Sequence, residues 1–199
     1  MRIYDISQEI FGSVVFPGDP TPKKERILQI NKGDVCNLTA FSMCAHNGTH
    51  IDAPYHFLNE GKTVEKIDIA KLVGYAYVFE HCGIITRGDV EAIIKKAKAV
   101  NAESAKRILI KGKAIVSNEA AQSFADAGIE LLGNESQTVG PEDAPMAAHL
   151  SLLSKDVVLL EGIRLADVQE GVYLLNAAPI CLGGCDGAPC RAILIDLET

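Results

Sequence analysis

Turn signals break this chain into short β-branched or alternating apolar runs, and that punctuation constrains its fold more than any other feature. Arg2–Ser7, Arg26–Ile30 and Asn37–Met43 read as strands, with Phe16-Pro-Gly-Asp-Pro20 interposed as a rigid turn. Tyr75–Glu80 and Arg107–Ile110 read as buried strands. Ile129–Leu132, Val157–Leu160, Val172–Leu175 and Ala192–Leu197 complete the strand inventory. Three stretches carry helical signals instead. Thr86-Arg-Gly-Asp89 resembles a capping box opening a helix through about Ala99, with Val90, Ile93, Ile94 and Ala97 on one face. A second helix is expected from Asn118 to Ala127, capped by Ser117 and closed by Gly128, and a third over Pro145–Leu153. Many strands with three separated helices predict an α+β or mixed α/β domain.

At 199 residues and 21.3 kDa the chain fits a single domain spanning residues 1–199, large enough to fold without disulfide or metal. Its net charge of −7 comes with no stripe of basic residues, and Lys95, Lys96 and Lys98 read as a solvated helix face. Nucleic acid is therefore an unexpected partner. No apolar run approaches the ~20 residues of a membrane span, and Met1–Ser7 has no secretory h-region, so a soluble cytoplasmic protein is expected. Six cysteines without a Cys-x-x-Cys pair read as reduced thiols, a zinc site on Cys181, Cys185 and Cys190 being the weaker alternative. No Gly-rich phosphate loop or dinucleotide fingerprint is present.

The chemistry concentrates in His46-Asn-Gly-Thr-His50-Ile-Asp52-Ala-Pro54-Tyr-His56. Three of the five histidines and an aspartate fall in this segment. Gly48, Thr49, Ile51 and Pro54 argue against a helix. In an extended strand, residues of equal parity share a face, and His46, His50, Asp52 and His56 are all even-numbered. Two imidazoles and a carboxylate then converge as the N,N,O set that zinc or manganese accepts, with Gly48 leaving a gap for the ion. Pro54 ends the strand and makes the path of His56 less predictable. Downstream, Glu161 closes the apolar run Val157–Leu160, where a buried carboxylate requires a metal or an arginine beside it. The isolated His81 reads as structural. Phe16, Tyr55 and Phe57 are core residues or contacts to an aromatic ligand, since the chain has no tryptophan.

His46-x-Gly-Thr-His50-x-Asp52-x-Pro54-x-His56 resembles the signature of the cyclase family of metal-dependent hydrolases. Weaker similarities follow in order along nearly the whole chain: Phe16-Pro-Gly-Asp19, Gly128–Gly133, His149-Leu-x-Leu-Leu with Val157–Glu161, and Gly187-Ala-Pro-x-Arg191-Ala. The resemblance implies a swivelling β/β/α fold with a strand-rich core and about three helices. It also implies that His46, His50 and Asp52 bind one divalent ion, zinc first and manganese second. Asp52 would reach a second ion held by His149 and Glu161, and His56 would be the catalytic acid/base.

The implied reaction is hydrolysis of a small-molecule amide by a metal-activated hydroxide, with N-formylkynurenine cleaved to kynurenine and formate as the leading case. Isatin-type or other cyclic amide hydrolysis is the second reading, and a catalytically inactive metal-binding ligand sensor the third. Family members are typically homo-oligomers, dimers or tetramers. The chain departs from the formamidases of the family where they carry Gly-x-Asp-Thr/Ser-Pro-Ser, having Gly133-Asn-Glu-Ser136-Gln-Thr138 instead.

Overall fold

The computed structural model describes residues 1–197. In chain order the strands and helices are β1 (Arg2–Asp5), β2 (Lys23–Leu28), β3 (Leu38–Ser42), β4 (His50–Asp52), β5 (Val73–Glu80), β6 (Gly83–Ile85), α1 (Arg87–Val100) and β7 (Arg107–Lys111). They continue with β8 (Ala114–Val116), α2 (Asn118–Asp126), β9 (Leu131–Asn134), α3 (Met146–Leu153), β10 (Val158–Glu161), β11 (Gly171–Asn176), β12 (Gly187–Pro189) and β13 (Ile193–Asp196). Nine strands form one mixed sheet in the order β1-β13-β11-β5-β7-β9-β10-β4-β12. The pairs β5–β7, β7–β9 and β9–β10 are parallel, and the flanking pairs are antiparallel. Two-stranded ladders β2–β3 and β6–β8 lie outside that sheet.

Strand alternation divides the core in two. Tyr77, Ile108, Ile110, Leu132 and Leu159 point into one apolar cluster; Ala76, Val78, Leu109, Leu131, Val158 and Leu160 point into the other. All three helices bury their apolar stripes in the first cluster. Val90, Ile93 and Ala97 come from α1, Ala120, Ala121 and Phe124 from α2, and Ala148, Leu152 and Leu153 from α3. The α1 capping box forms as expected, the Thr86 hydroxyl accepting from the Asp89 N–H while the Asp89 carboxylate takes the Thr86 N–H. Ser117 likewise caps α2.

Several boundaries differ from the sequence reading. β2 begins at Lys23 rather than Arg26, and β9 runs Leu131–Asn134 rather than Ile129–Leu132. The short strands β6, β8 and β12 were not expected, because three residues are too few to express a period.

Candidate metal centre and active site

β4 lies between β10 and β12, and its register builds the site. Asp52 pairs with Leu159 and His50 with Glu161 across the β4–β10 ladder. Ile51 enters the cluster remote from the helices, so His50 and Asp52 turn toward the helix side. Glu161, two residues beyond Leu159, turns the same way. α3 then lowers His149 onto them. His149 Nδ1 lies 2.9 Å from the Pro145 carbonyl oxygen and donates to it, which directs Nε2 at the carboxylates.

The extended-strand reading holds for His50 and Asp52 only. His46 sits in the turn before β4, and His56 ends a 3₁₀ turn, Pro54–His56, begun by the proline. Gly48 leaves no ion gap. It is a left-handed turn residue with φ +69°, and a Cβ there would lie 2.9 Å from Ile10 Cδ1. The room comes from Gly187 instead: opposite Asp52 on β12, its Cβ would fall 2.7 Å from the His46 ring. Gly162, just past Glu161, lashes the two halves together. Its carbonyl accepts from Thr49 Oγ1 and Gln8 Nε2, each at 2.8 Å.

Three donor sets have their ligand-type atoms within 4.8 Å of one another: His46/His50/Asp52 and Asp52/His149/Glu161, which share Asp52, and His46/His56/Asp186 nearer the surface. His50 Nε2 is 3.3 Å from Asp52 Oδ1 and 3.5 Å from Glu161 Oε2. His149 Nε2 is 3.5 Å from Asp52 Oδ2 and 3.4 Å from Glu161 Oε1. These spacings are long for charge-assisted hydrogen bonds. They match ligands sharing a tetrahedral ion, because bonds of ~2.0–2.1 Å place donor atoms about 3.4 Å apart. His50 is wholly buried, with Nδ1 on the Gly48 carbonyl at 3.1 Å. Its Nε2 and Asp52 Oδ2 are buried with no hydrogen-bond partner. Orphaned polar atoms at such depth are costly, and a divalent cation satisfies both. The residues fit the group. Glu161 meets His50, His149 and the Val139 N–H at 2.6 Å, so its charged neighbours are imidazoles and not an arginine.

The imidazoles are strongly cationic when only protein groups surround them. Burial disfavours a charged His46 ring, but Asp52 and then Asp186 outweigh it and raise the ring to about 11. Burial is likewise overcome by Asp52 and Glu161 at His50, raised to about 9, and at His149, raised to about 10. Burial opposes the charge on Asp52, yet His46, His149 and His50 hold it well below the usual carboxylate range.

These histidines titrate higher folded than their ordinary 6.5, so their contribution to stability is complete below pH 6.5 and is lost as pH rises through about 9 to 11. The melting temperature of metal-stripped protein is therefore expected to fall across that interval. Saturating zinc should flatten the fall, because ligation replaces the protons. A profile equally steep with and without metal in a calorimetric titration would contradict this.

A cavity of about 230 Å³ opens over the cluster, lined by His46, His56 and His149 and by Phe16, Phe57 and Gln137. Of the three aromatic candidates, Phe16 and Phe57 line this cavity and Tyr55 does not. His81 lies apart, beyond the end of β5, against Phe79. The six cysteines are free thiols, and among the described residues the converging ligand groups are built from His, Asp and Glu. The sequence leaves the Asp186 loop open between lining the pocket and plain turn chemistry, and it gives Asp186 no partners. Asp186 Oδ2 approaches His46 Nε2 at 2.9 Å and His56 Nδ1 at 3.2 Å.

The Cyclase family model matches residues 4–141. The chain belongs to the Cyclase family. Relatives in the family include a kynurenine formamidase of Erythrobacter litoralis, 31% identical over 98% of this chain and 94% of that one. A second, from Bacillus mycoides, is 35% identical over 96% of this chain and 95% of its own length. Among solved structures, a protein described as a potential metal-dependent hydrolase with cyclase activity superposes with TM-score 0.81 at 30% identity, covering 97% of this chain and 96% of that one. Isatin hydrolase A of Labrenzia aggregata shares the fold, with TM-score 0.81 at 19% identity over 97% of this chain and 93% of that one. The α+β cyclase-like fold is that of the family. Among the described residues no helix is long and apolar enough to cross a membrane.

Proposed function

We propose that this Cyclase family member is a metal-dependent amide hydrolase, with N-formylkynurenine, cleaved to kynurenine and formate, as its leading substrate. The observation that carries the reading is one buried carboxylate, Asp52, shared by two His/carboxylate sets on the floor of a cavity that His56 also lines. His46, His50 and Asp52 would hold one divalent ion, and Asp52, His149 and Glu161 a second. Zinc suits the N,N,O donors best, and manganese is the alternative. A bound divalent ion supplies Lewis acidity and lowers the pKa of water toward about 7.

The chain's own groups do the rest. His56 takes the proton of the attacking water as its oxygen bonds to the formyl carbon. It returns that proton to the anilide nitrogen as the C–N bond breaks, releasing amine and formate. Phe16 and Phe57 are placed to pack an aromatic ring. No protein nucleophile is required. The test compares kcat/KM for N-formylkynurenine with isatin and an unrelated cyclic amide. Formamidase preference is expected, supported by relatives 31–35% identical over nearly their full length. A preference for isatin would replace the substrate, since Gln137 stands in the loop that departs from the formamidase pattern. No turnover of any amide by metal-loaded protein would favour a ligand sensor.

We further propose a homo-oligomer, a dimer or tetramer. The β2–β3 hairpin leaves Ile27 48%, Leu38 49% and Phe41 62% exposed, and a lone two-stranded hairpin is marginally stable in water. A second copy of the chain would cover it. Light scattering should give two or four times the 21.3 kDa chain mass, and a monomer would contradict this.

A further inference from the structure

Asp186 lies one residue before β12, whose Gly187 pairs with Asp52, so the sheet itself sets the carboxylate beside the metal-ligand strand. Its carbonyl accepts from the Ala53 N–H at 2.9 Å, and the preceding Cys185 carbonyl accepts from the Val64 N–H at 2.9 Å. The Gly184 N–H donates to Glu65 Oε2 at 3.0 Å. The loop is therefore clamped at three points to the segment that carries His56. One oxygen, Oδ2, meets both His46 Nε2 and His56 Nδ1, while the two rings stack with centroids 4.0 Å apart at 30°.

A carboxylate oxygen only accepts, so both nitrogens facing it carry hydrogens. We infer that Asp186 is a positioning residue: through Oδ2 it holds His56 in the Nδ1–H tautomer, with the ring fixed against His46, so that Nε2 is the atom that exchanges protons with water and leaving group. The same oxygen orients His46 by its Nε2–H, leaving Nδ1 toward Asp52 Oδ1, 2.7 Å away. One side chain thus gives two adjacent histidines different tasks. His46 Nδ1 would give up the hydrogen it directs at Asp52 to take a metal, and His56 keeps its Nε2 lone pair for the proton.

This inference rests on the hydrolase reading for its kinetic consequence but not for its geometry. The experiment uses the full-length, zinc-saturated chain and the variants Asp186→Asn, Asp186→Ala, His56→Ala and the His56→Ala/Asp186→Ala double variant. Loss of an outer hydrogen-bond partner of this kind costs about 10–100-fold. At saturating zinc, Asp186→Ala should lower kcat by that factor with KM little changed. Asp186→Asn, which keeps an acceptor oxygen, should recover much of the loss. On the His56→Ala background, Asp186→Ala should add almost nothing.

Independently of turnover, ¹⁵N spectra of the imidazoles should report His56 with Nδ1 protonated in the parent chain and a tautomer mixture in Asp186→Ala. Zinc per chain, read by elemental analysis, should be equal at saturation in both. Three results would overturn the inference: an unchanged His56 tautomer, an effect fully additive with His56→Ala, or loss of one zinc per chain, which would make Asp186 a ligand. If the parent hydrolyses no amide, the hydrolase reading fails, and the tautomer spectrum alone still decides the role of Asp186.

Discussion

Replacing His56 with alanine is expected to lower kcat by about 10²–10⁴-fold, the usual worth of a positioned acid/base, while metal content stays at the parent level. The reason lies in where the ring sits. His56 lines the cavity and bonds to Asp186, but it stands outside both sets built on Asp52. His46 and His50 approach Asp52 directly, at 2.7 and 3.3 Å. Deleting His56 should leave that floor intact. Steady-state kinetics beside elemental analysis separate the cases: metal lost along with activity would make His56 a ligand and reverse its assigned role.

A larger effect is expected at Asp52. This carboxylate is 1% exposed and lies within reach of His46, His50 and His149. Asp52→Ala removes the one group that the His46/His50 and His149/Glu161 pairs share, so both metals should be lost and turnover with them. It also strands three buried imidazoles without their shared counter-charge. Breaking a buried ionic arrangement by removing one partner typically costs about 3–5 kcal/mol, so the metal-free variant should unfold more easily than metal-free parent. His149→Ala touches only the Asp52/His149/Glu161 set and should weaken one site, leaving His46, His50 and Asp52 to bind. Isothermal titration with zinc distinguishes these outcomes. Equal zinc stoichiometry for Asp52→Ala and His149→Ala would refute the bridging role.

Local signals carried well from sequence to structure where they were dense. The Thr86/Asp89 box and the apolar spacing of Val90, Ile93 and Ala97 define α1 by themselves. The parity argument found the shared face of His50 and Asp52, because both lie in regular strand. It failed for His46 and Gly48, which belong to a turn, where alternation has no meaning. Glu161 was legible as a carboxylate ending an apolar run, but its partners depend on the β4–β10 register, a pairing across more than a hundred residues that no local pattern encodes. The partners of Asp186 were hidden for the same reason. Its loop reads as turn chemistry, and only the β4–β12 ladder brings it beside His46, 140 positions away.

If the buried histidines and carboxylates hold a divalent metal for amide hydrolysis, activity must follow metal occupancy. The most direct measurement strips the purified chain with a chelator, removes the chelator, and follows cleavage of N-formylkynurenine as zinc or manganese is returned. Turnover should vanish on stripping and recover as up to two ions per chain are bound. Hydrolysis that continues unchanged in the stripped, still-folded chain would contradict the account.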